Sequence, residues 1–536
     1  MSDQNEMKPS ENQEEENQEQ EVGILQVCAL CEGCIVVHPE NGCAVREGEG
    51  SAVGGRSAHA EGHITFASGR ASHSEGTTTK AIGDFSHAEG DRTTSNGRSS
   101  HAEGTTTTAN EISSHAEGSG TEANGIASHS EGSFTMANGF ASHAEGTNTV
   151  AVGISSHTEG GRTNAFSEYC HAEGLNTAAG VSGDPTRRAA HAEGELTRAA
   201  GIASHAEGTG TNANGNSSHA EGGGTQANGE SSHAEGIATK ALADASHAEG
   251  TNTTASGESS HAEGGATQAS GESSHAEGNR TIASGDFSHA EGQRTVASGV
   301  RSHAEGLNTS TNGITGAHIM GRFGDATHTY SWHLANGTSE TDRSLAAKIV
   351  NDGRGIADKG WLTGNADYAE MFETVDGKPM DVGYFVTFDG EKIRKANKKD
   401  NYILGIVSAD PAILGDSGEL RWKDKYVTDE WGRVQYRDVV IPAEKDQDGN
   451  VIVPERTEKQ PILNPDWDDT KEYIPRSERP EWVAVGLLGK LRVRDDGTCQ
   501  VNGYCRPNNE GIATASKDGY RVIKRTGPNQ ILVLFK

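Results

Sequence analysis

The sequence predicts a mainly β protein: a parallel β-roll (β-solenoid) of fourteen-residue repeats, followed by a mostly-β globular domain. From His59 to His303 the motif H-x-E-G occurs eighteen times, in steps of fourteen residues except for one step of twenty after His171. Hydrophobic residues make up 32% of the chain and aromatic residues 5%, a composition typical of repeat proteins rather than of wide apolar cores. After Gly313 the period stops, and all six tryptophans lie beyond it.

The residues before the repeat fall into two parts. Residues 1–22 are almost entirely polar and acidic, which predicts a solvated, disordered tail. Residues 23–50 contain four of the seven cysteines: Cys28, Cys31, Cys34 and Cys43. Neither a His pair nor a second C-x2-C completes a zinc motif, so a zinc site, a disulfide and an anchor all remain open for them. We interpret residues 23–50 as an attachment segment.

Charge and hydropathy exclude several classes of protein. The net charge of −31 argues against binding to nucleic-acid phosphates. No stretch approaches the ~18 apolar residues of a membrane helix, so we expect no membrane insertion. The acidic N-terminus does not resemble a Sec signal. We therefore expect synthesis in the cytoplasm and release by another route, such as lysis. We expect no cofactor.

Strand geometry turns the repeat into a coil with two short strands, over residues 51–313. Because side chains alternate between faces, small residues share one face of each strand and point inward. In one coil these residues are Ser260, Ala262, Gly264, Thr267, Ala269 and Gly271. At a strand spacing of ~4.8 Å the eighteen coils predict a rod of about 85 Å, from which the twenty-residue step bulges as a loop.

The His and Glu of each copy fall on the outer face, and three roles compete for them. Catalytic dyads would need a pocket and a nucleophile, which a uniform rod does not offer. A metal ladder has suitable ligands, but no third ligand repeats distinctly. We favour structural ladders and expect no metal. Stacked glutamates repel one another and face the imidazoles, which predicts raised pKa values for both and a shaft that loses stability as pH rises.

The pattern S-x-A-x-G-x-x-T-x-A-x-G resembles the head repeats of trimeric autotransporter adhesins, which are left-handed β-rolls packed as trimers. A core of Ser, Ala and Thr buries few methylene groups, each worth about 0.8 kcal/mol, so we expect neighbouring chains to share the burial. The resemblance thus implies a homotrimer. The H-x-E insertion departs from the adhesin repeat, so the adhesins' receptor is not implied.

Beyond a connector at residues 314–365, apolar stretches such as GYFVTF, YILGIVS and WVAVGLLG predict a globular domain at residues 366–536. Its entry, NADYAEMFE, is rich in acids, which by composition alone indicates a solvated strand or turn. However, NADYAEMFE, GYFVTFDGEKIRKA, YILGIVSADPAILGD, WVAVGLLGKLRVRDDG and the closing GIAT-x5-GYRVIKR together resemble the self-cleaving intramolecular chaperone domain of bacteriophage neck appendage proteins. That family is classed with the glutamic peptidases. The resemblance implies a trimeric domain that assists fibre folding and then cuts itself off in a single turnover.

The family's cut corresponds here to the bond between Ala366 and Asp367. Alanine has no hydroxyl group, so an acyl shift at residue 366 is excluded. Two chemistries remain. Asp367 and Glu370 would act as a carboxylate pair, one polarising the carbonyl and one activating water, with neighbours from another chain. Alternatively, the Asn365 amide would cyclise and break the bond between Asn365 and Ala366. We favour the carboxylates.

The sequence therefore predicts a phage tail or neck fibre that is anchored to the particle by its N-terminal segment and binds a glycan receptor on the host surface. A cell- or spore-surface adhesin of prophage origin, built from the same modules, is the alternative. A glycan-degrading tailspike is disfavoured, because no carboxylate pair in the shaft stands apart from the repeat.

Overall fold

The computed structural model describes residues 35–418, 420, 424–445, 451–453, 455–468 and 470–536. The predicted tail and Cys28, Cys31 and Cys34 lie outside the described residues. The chain divides into two compact units, Met1–Gly360 and Trp361–Lys536. Among the described residues the helical elements are two 3-10 turns, at Pro39–Asn41 and Arg476–Glu478. No helix there is long and apolar enough to cross a membrane. The mainly β prediction is confirmed.

The first unit is the predicted solenoid. Each coil contributes two strands, and each strand pairs in parallel and in register with the equivalent strand of the next coil, so that His101 lies opposite His115 and Ala102 opposite Ala116. The strands that begin at the repeat histidines are His59–His63, His73–Thr77, His87–Asp91, His101–Ala102, His115–Ala116, His129–Ser130, His143–Ala144, His157–Thr158, His171–Ala172, His191–Ala192, His205–Ala206, His219–Gly223, His233–Ile237, His247–Ala248, His261–Ala262, His275–Ala276, His289–Ala290 and His303–Ala304.

The second strand of each coil lies on the other side of the roll, and from Phe66–Ala67 to Val296–Ala297 it carries the buried alanine or serine eight residues after the histidine. Successive strands on this side stack in the same way, for example Gln268–Ala269 on Ile282–Ala283. These strands are Ala52–Val53, Phe66–Ala67, Lys80–Ala81, Thr94–Ser95, Thr108–Ala109, Glu122–Ala123, Met136–Ala137, Val150–Ala151, Asn164–Ala165, Ala178–Ala179, Arg198–Ala199, Asn212–Ala213, Gln226–Ala227, Lys240–Ala241, Thr254–Ala255, Gln268–Ala269, Ile282–Ala283, Val296–Ala297 and Leu307–Ser310.

The interior of the roll is a stack of small side chains, as predicted. Ala262 and Ala269 are fully buried, and so are Ser260 and Thr267. Gly264 differs from the prediction, because it is exposed at a turn rather than inside. Its φ of +98° and the 2.3 Å that would separate an added Cβ from the carbonyl oxygen of Gly278 explain the glycine there.

The coil path runs past both ends of the sequence repeat and makes a solenoid of about 21 turns. Ala44–Glu47, preceded by Val36–His38, pairs in parallel with the first histidine strand. After the last copy, His318–Asp325 and Trp332–Asn336 continue the parallel stack, and Leu345–Ile349 and Gly355–Ala357 then pair antiparallel. The twenty-residue step keeps His171 opposite His191 and forms the predicted loop.

The second unit contains a sheet of ten strands that is almost entirely antiparallel. Its strands are Asp367–Glu373, Phe385–Asp389, Lys392–Lys395, Gly405–Val407, Ile413–Gly415, Trp482–Arg494, Tyr504–Pro507, Ala513–Ser516, Tyr520–Gly527 and Gln530–Phe535. Two further hairpins pair Tyr436–Ile441 with Arg456–Pro461 and Glu444–Lys445 with Val451–Val453. Phe385, Ile406, Val493, Ile531 and Val533 form the main apolar core.

Candidate autoproteolytic site

The predicted cleavage junction lies where an exposed segment becomes a buried strand. Asp367–Glu373, here called the cleavage strand, pairs antiparallel with Trp482–Arg494, the long strand, and the pairing starts with Asp367 opposite Gly489. Residues 361–366 are exposed, whereas Asp367 is 6% exposed. The bond between Ala366 and Asp367 is therefore open to water on one side and fixed to a sheet on the other.

The carbonyl group of Ala366 packs closely on the long strand. A Cβ added to Gly489 would lie 2.1 Å from the Ala366 oxygen, and the φ of Gly489 is +120°. Only glycine adopts that conformation readily and leaves this space. Gly489 thus fixes the position of the carbonyl group that the reaction would attack.

Asp367 is held by residues about forty positions later in the chain. Ser408 donates a hydrogen bond of 2.6 Å from Oγ to Oδ2 of Asp367, and the backbone N–H of Ala412 donates one of 2.9 Å to its carbonyl oxygen. Ile413–Gly415 brings these residues here, because it pairs in parallel with the cleavage strand. The sequence analysis did not identify Ser408, and the motif gave no signal for it.

Glu370 lies on the other face of the cleavage strand. Along the strand Asp367, Ala369 and Met371 are buried, whereas Glu370 is half-buried, as alternation requires. Its Oε1 accepts a hydrogen bond of 2.6 Å from the Tyr368 hydroxyl, which raises the pKa of Tyr368. The structure therefore does not bring the carboxyl groups of Asp367 and Glu370 together within one chain.

Asn365 is bound to a carboxylate that the sequence analysis also missed. Its Nδ2 donates to Oδ2 of Asp410 at 2.7 Å and to the Asp410 carbonyl oxygen at 2.8 Å. Both residues line a cavity of about 660 Å³ that also contains the predicted junction. Lys490, Arg492 and Arg494 of the long strand line the same cavity, so cations are available near a developing negative charge.

A second set of candidate residues, the repeat His–Glu pairs, forms one column along the shaft. The eighteen imidazole rings stack with centroids 4.6–4.9 Å apart and planes within 11° of parallel. Except at His247, the ring nitrogen Nε2 lies within 4.0 Å of one or two glutamate oxygens, for example Glu103 Oε1 at 3.8 Å and Glu117 Oε2 at 3.9 Å from His115. The outward His–Glu column that the alternation predicted is thus present.

The predicted rise in histidine pKa is wrong. Burial lowers the pKa of His129, and the neighbouring His115 and His143 lower it further; His73, His101 and seven other repeat histidines are likewise lowered. Desolvation outweighs attraction to the glutamates. The sign of the linkage reverses, because these histidines favour folding fully above their unfolded pKa of about 6.5 and lose that contribution as pH falls below it.

The glutamates follow the prediction only at alternate coils. Hydrogen bonds with Glu103 and Glu131 raise the pKa of Glu117 to about 8. The pKa of Glu131, hydrogen-bonded in turn to Glu117 and Glu145, is lowered to about 2. Glutamates with raised and lowered pKa values therefore alternate along this part of the column, and His129 and His143 contribute to the lowered value of Glu131.

Comparison with known proteins bears on the C-terminal region. The model of the family Peptidase_G2, IMC autoproteolytic cleavage domain, matches residues 326–530. The pre-neck appendage protein of Bacillus phage B103 is 35% identical over 198 residues, covering 36% of this chain and 22% of the relative. The preneck appendage protein of Bacillus phage PZA is 35% identical over 178 residues, covering 32% of this chain and 19% of the relative.

A solved structure also matches part of the chain. The crystal structure of the bacteriophage phi29 gene product 12 C-terminal fragment is 34% identical, with 32% of this chain and 100% of the fragment covered and a TM-score of 0.27. The chain covers only about a fifth of the length of the curated relatives it matches. The predicted resemblance is nevertheless confirmed: residues 326–530 match the Peptidase_G2, IMC autoproteolytic cleavage domain, and part of the chain is similar to phage pre-neck appendage proteins.

Proposed function

We propose that this chain is a structural appendage of a phage particle whose C-terminal domain assists assembly and then removes itself by one self-cleavage event. The match of residues 326–530 to the autoproteolytic family is the observation that carries the proposal. The solenoid is the part that remains, attached to the particle through the N-terminal segment and reaching a receptor, a glycan, on the host surface. The matches to phage proteins do not favour the alternative of a surface adhesin encoded by the host.

We place the cut between Ala366 and Asp367. The exposed segment before the junction gives water access to the Ala366 carbonyl carbon, and the sheet holds Asp367 so that the nitrogen can leave along a fixed direction. The Asn365 amide, in contrast, is engaged by Asp410 through Nδ2. These contacts support hydrolysis at residue 366 over cyclisation of Asn365.

The proposed reaction needs two carboxyl groups. Water attacks the carbonyl carbon of Ala366 while a carboxylate takes one of its protons. The carboxyl group of Asp367, oriented by Ser408, gives a proton to its own backbone nitrogen. The C–N bond then breaks and leaves a carboxylate on Ala366 and a free amine on Asp367.

We assign the second carboxyl group to Glu370 of a neighbouring copy. Within one chain Glu370 lies on the face of the cleavage strand opposite Asp367, where it is partly exposed and available to another subunit. Cleavage would then require the assembled homotrimer. An early cut of an unassembled chain would be avoided, because the site is incomplete in a monomer.

The surface of the shaft supports association between copies. Ile112, Ile126, Phe140 and Ile154 occupy the same position in four consecutive coils and are 41–53% exposed. A column of large apolar side chains on an alanine-filled roll gains free energy when another chain covers it. We therefore retain the homotrimer as the proposed assembly.

A mixing experiment tests the shared site. Chains carrying Asp367→Asn or Glu370→Gln are each expected to assemble and remain uncut. When the two are co-expressed with tags of different length, the Glu370→Gln chain is expected to be cut, because its own Asp367 is intact and its neighbour supplies Glu370. Denaturing gels and intact mass spectrometry identify the fragment, which should begin at Asp367.

Four results would contradict parts of this proposal. Wild-type rates for Glu370→Gln alone would remove that residue from the chemistry, and an uncut Glu370→Gln chain in the mixture would refute sharing between subunits. A wild-type fragment that begins at Ala366, together with loss of cutting in Asn365→Ala, would assign the reaction to the amide. A wild-type trimer that stays intact would refute self-cleavage altogether.

A further inference from the structure

The repeat histidines present a nitrogen that no protein group satisfies. In all eighteen copies from His59 to His303, Nε2 is shielded from solvent and has no hydrogen-bond partner among the described residues. A buried polar atom without a partner is unfavourable and is rare in native proteins. Its recurrence in every copy indicates that the column has a ligand.

For seven of these histidines, Nε2 lies within 4.0 Å of two carboxylates, one from its own coil and one from the coil before. His219 is 3.8 Å from Glu207 Oε1 and 3.8 Å from Glu221 Oε2, and His59 is 3.5 Å from Glu47 Oε1 and 3.7 Å from Glu61 Oε2. These separations exceed the 2.7–3.2 Å typical of N–H···O hydrogen bonds. However, two ligands bound tetrahedrally to one metal ion at about 2.0–2.2 Å lie about 3.4 Å apart, close to what is observed.

We propose that the column binds divalent transition-metal ions of the zinc class. Each ion is held by one imidazole Nε2, one oxygen of the glutamate in the same coil and one oxygen of the glutamate in the preceding coil. The preceding coil thus supplies the third ligand that the repeat itself lacks. A carboxylate between two such histidines directs Oε1 toward one and Oε2 toward the other, as Glu103 does for His115 and His101.

The spacing determines how an ion is shared. Adjacent imidazole rings lie about 4.8 Å apart, whereas two metal–nitrogen bonds reach about 4.2 Å, so one ion does not bridge two histidines. Nitrogen ligands favour zinc, cobalt or nickel over calcium and magnesium, which prefer oxygen alone. The chemistry of the donors therefore distinguishes the zinc class from the cations that bind simple acidic surfaces.

Charge sets the number of ions. Two carboxylates neutralise one divalent ion, and ions in adjacent coils would share a carboxylate and repel one another strongly at this distance. If every second coil is occupied, each ion has two carboxylates of its own and the ions do not lie in adjacent coils. Eighteen coils then give about nine ions per chain at saturation.

The test measures zinc content in the assembled protein expressed from the full-length sequence without a polyhistidine tag. Cys28, Cys31, Cys34 and Cys43 are replaced by serine, so that the cysteine segment cannot contribute. The protein is stripped with EDTA, dialysed against micromolar zinc chloride, and analysed by plasma mass spectrometry. We expect about nine zinc ions per chain, retained when an equal concentration of magnesium chloride is added.

A matched pair of variants locates the ions. Replacing His101, His115, His129 and His143 together by glutamine should remove about two ions per chain. Replacing His63, an exposed histidine outside the column, should remove none. Zinc, unlike magnesium, should also raise the melting temperature of the wild-type shaft, because the ions link neighbouring coils of the folded state.

The proposal is overturned by fewer than two ions per wild-type chain, by release of the zinc with equimolar magnesium, or by unchanged zinc content in a folded quadruple variant. Should the quadruple variant lose its β circular dichroism, the wild-type stoichiometry and its competition with magnesium decide alone. Visible absorption of the cobalt-loaded wild-type protein gives a second measurement. A six-water cobalt spectrum would show that the imidazoles do not bind.

Discussion

Replacing Gly489 with alanine is expected to slow self-cleavage about a hundredfold. The added Cβ would lie 2.1 Å from the carbonyl oxygen of Ala366. A carbon and an oxygen in contact are about 3.3 Å apart, so the carbonyl group must move by about 1 Å. A misplacement of about 1 Å in a reacting group costs about a hundredfold in rate. The same Cβ would lie 2.9 Å from the Cα of Asp367, so the residue after the junction is displaced as well.

The matched control is Gly497→Ala. Gly497 also has a positive φ, +90°, but an added Cβ there would have nothing within 4 Å. Both variants therefore strain the backbone, and only Gly489→Ala displaces the carbonyl group. Cell-free translation, quenched at intervals and resolved on denaturing gels, follows the loss of the full-length chain. Equal cleavage rates in the two variants, both shown to be folded and assembled, would refute the positioning role of Gly489.

Three further expectations follow from the same contacts. Ser408→Ala removes a hydrogen bond to a carboxylate and should slow cutting about tenfold, and an unchanged rate would show that the serine does not orient the acid. Deleting residues 206–219, one whole coil, should leave β circular dichroism and trypsin resistance intact. Deleting residues 206–212 should lower both, because it puts the next histidine strand on the wrong side of the roll. Equal tolerance of the two deletions would contradict the in-register stack. Hydrogen bonds from Arg394 lower the pKa of Asp400 in the folded protein. This pair therefore stabilises the C-terminal unit fully when the pH is above the unfolded pKa of about 3.9. The stabilisation is lost as the pH falls through the lower, folded pKa. In Asp400→Asn the melting temperature should therefore fall less steeply with decreasing pH in the acidic range. The same steepness in the variant and the wild-type protein would contradict this role of the pair.

Periodic residues made the shaft predictable. Strict alternation placed Ala262 inside and His261 outside, and the structure agrees because a strand has no other choice of face. Gly264 obeyed a different requirement, since its turn needs a positive φ and close contact with the next coil. The coils beyond the last H-x-E-G copy were not apparent, because parallel pairing depends on backbone geometry and needs only a small inward residue such as Ala317.

Only the part of the candidate site that is contiguous in the sequence could be predicted. NADYAEMFE identified the cleavage strand, but the partners Ser408 and Asp410 lie more than forty residues away and arrive through a parallel pairing that no local pattern encodes. The same alternation that served for the shaft separates Asp367 from Glu370, which are an odd number of positions apart. The histidine pKa values depend on desolvation in the stack, which the sequence does not report.

The repeat also restricts the length of the solenoid to whole numbers of coils. Successive coils pair in the same register, so one coil can take the place of another. The length of the solenoid changes by one strand spacing of about 4.8 Å for each coil gained or lost. Whole coils can therefore be gained or lost without any change to residues 1–50 or to residues 361–536.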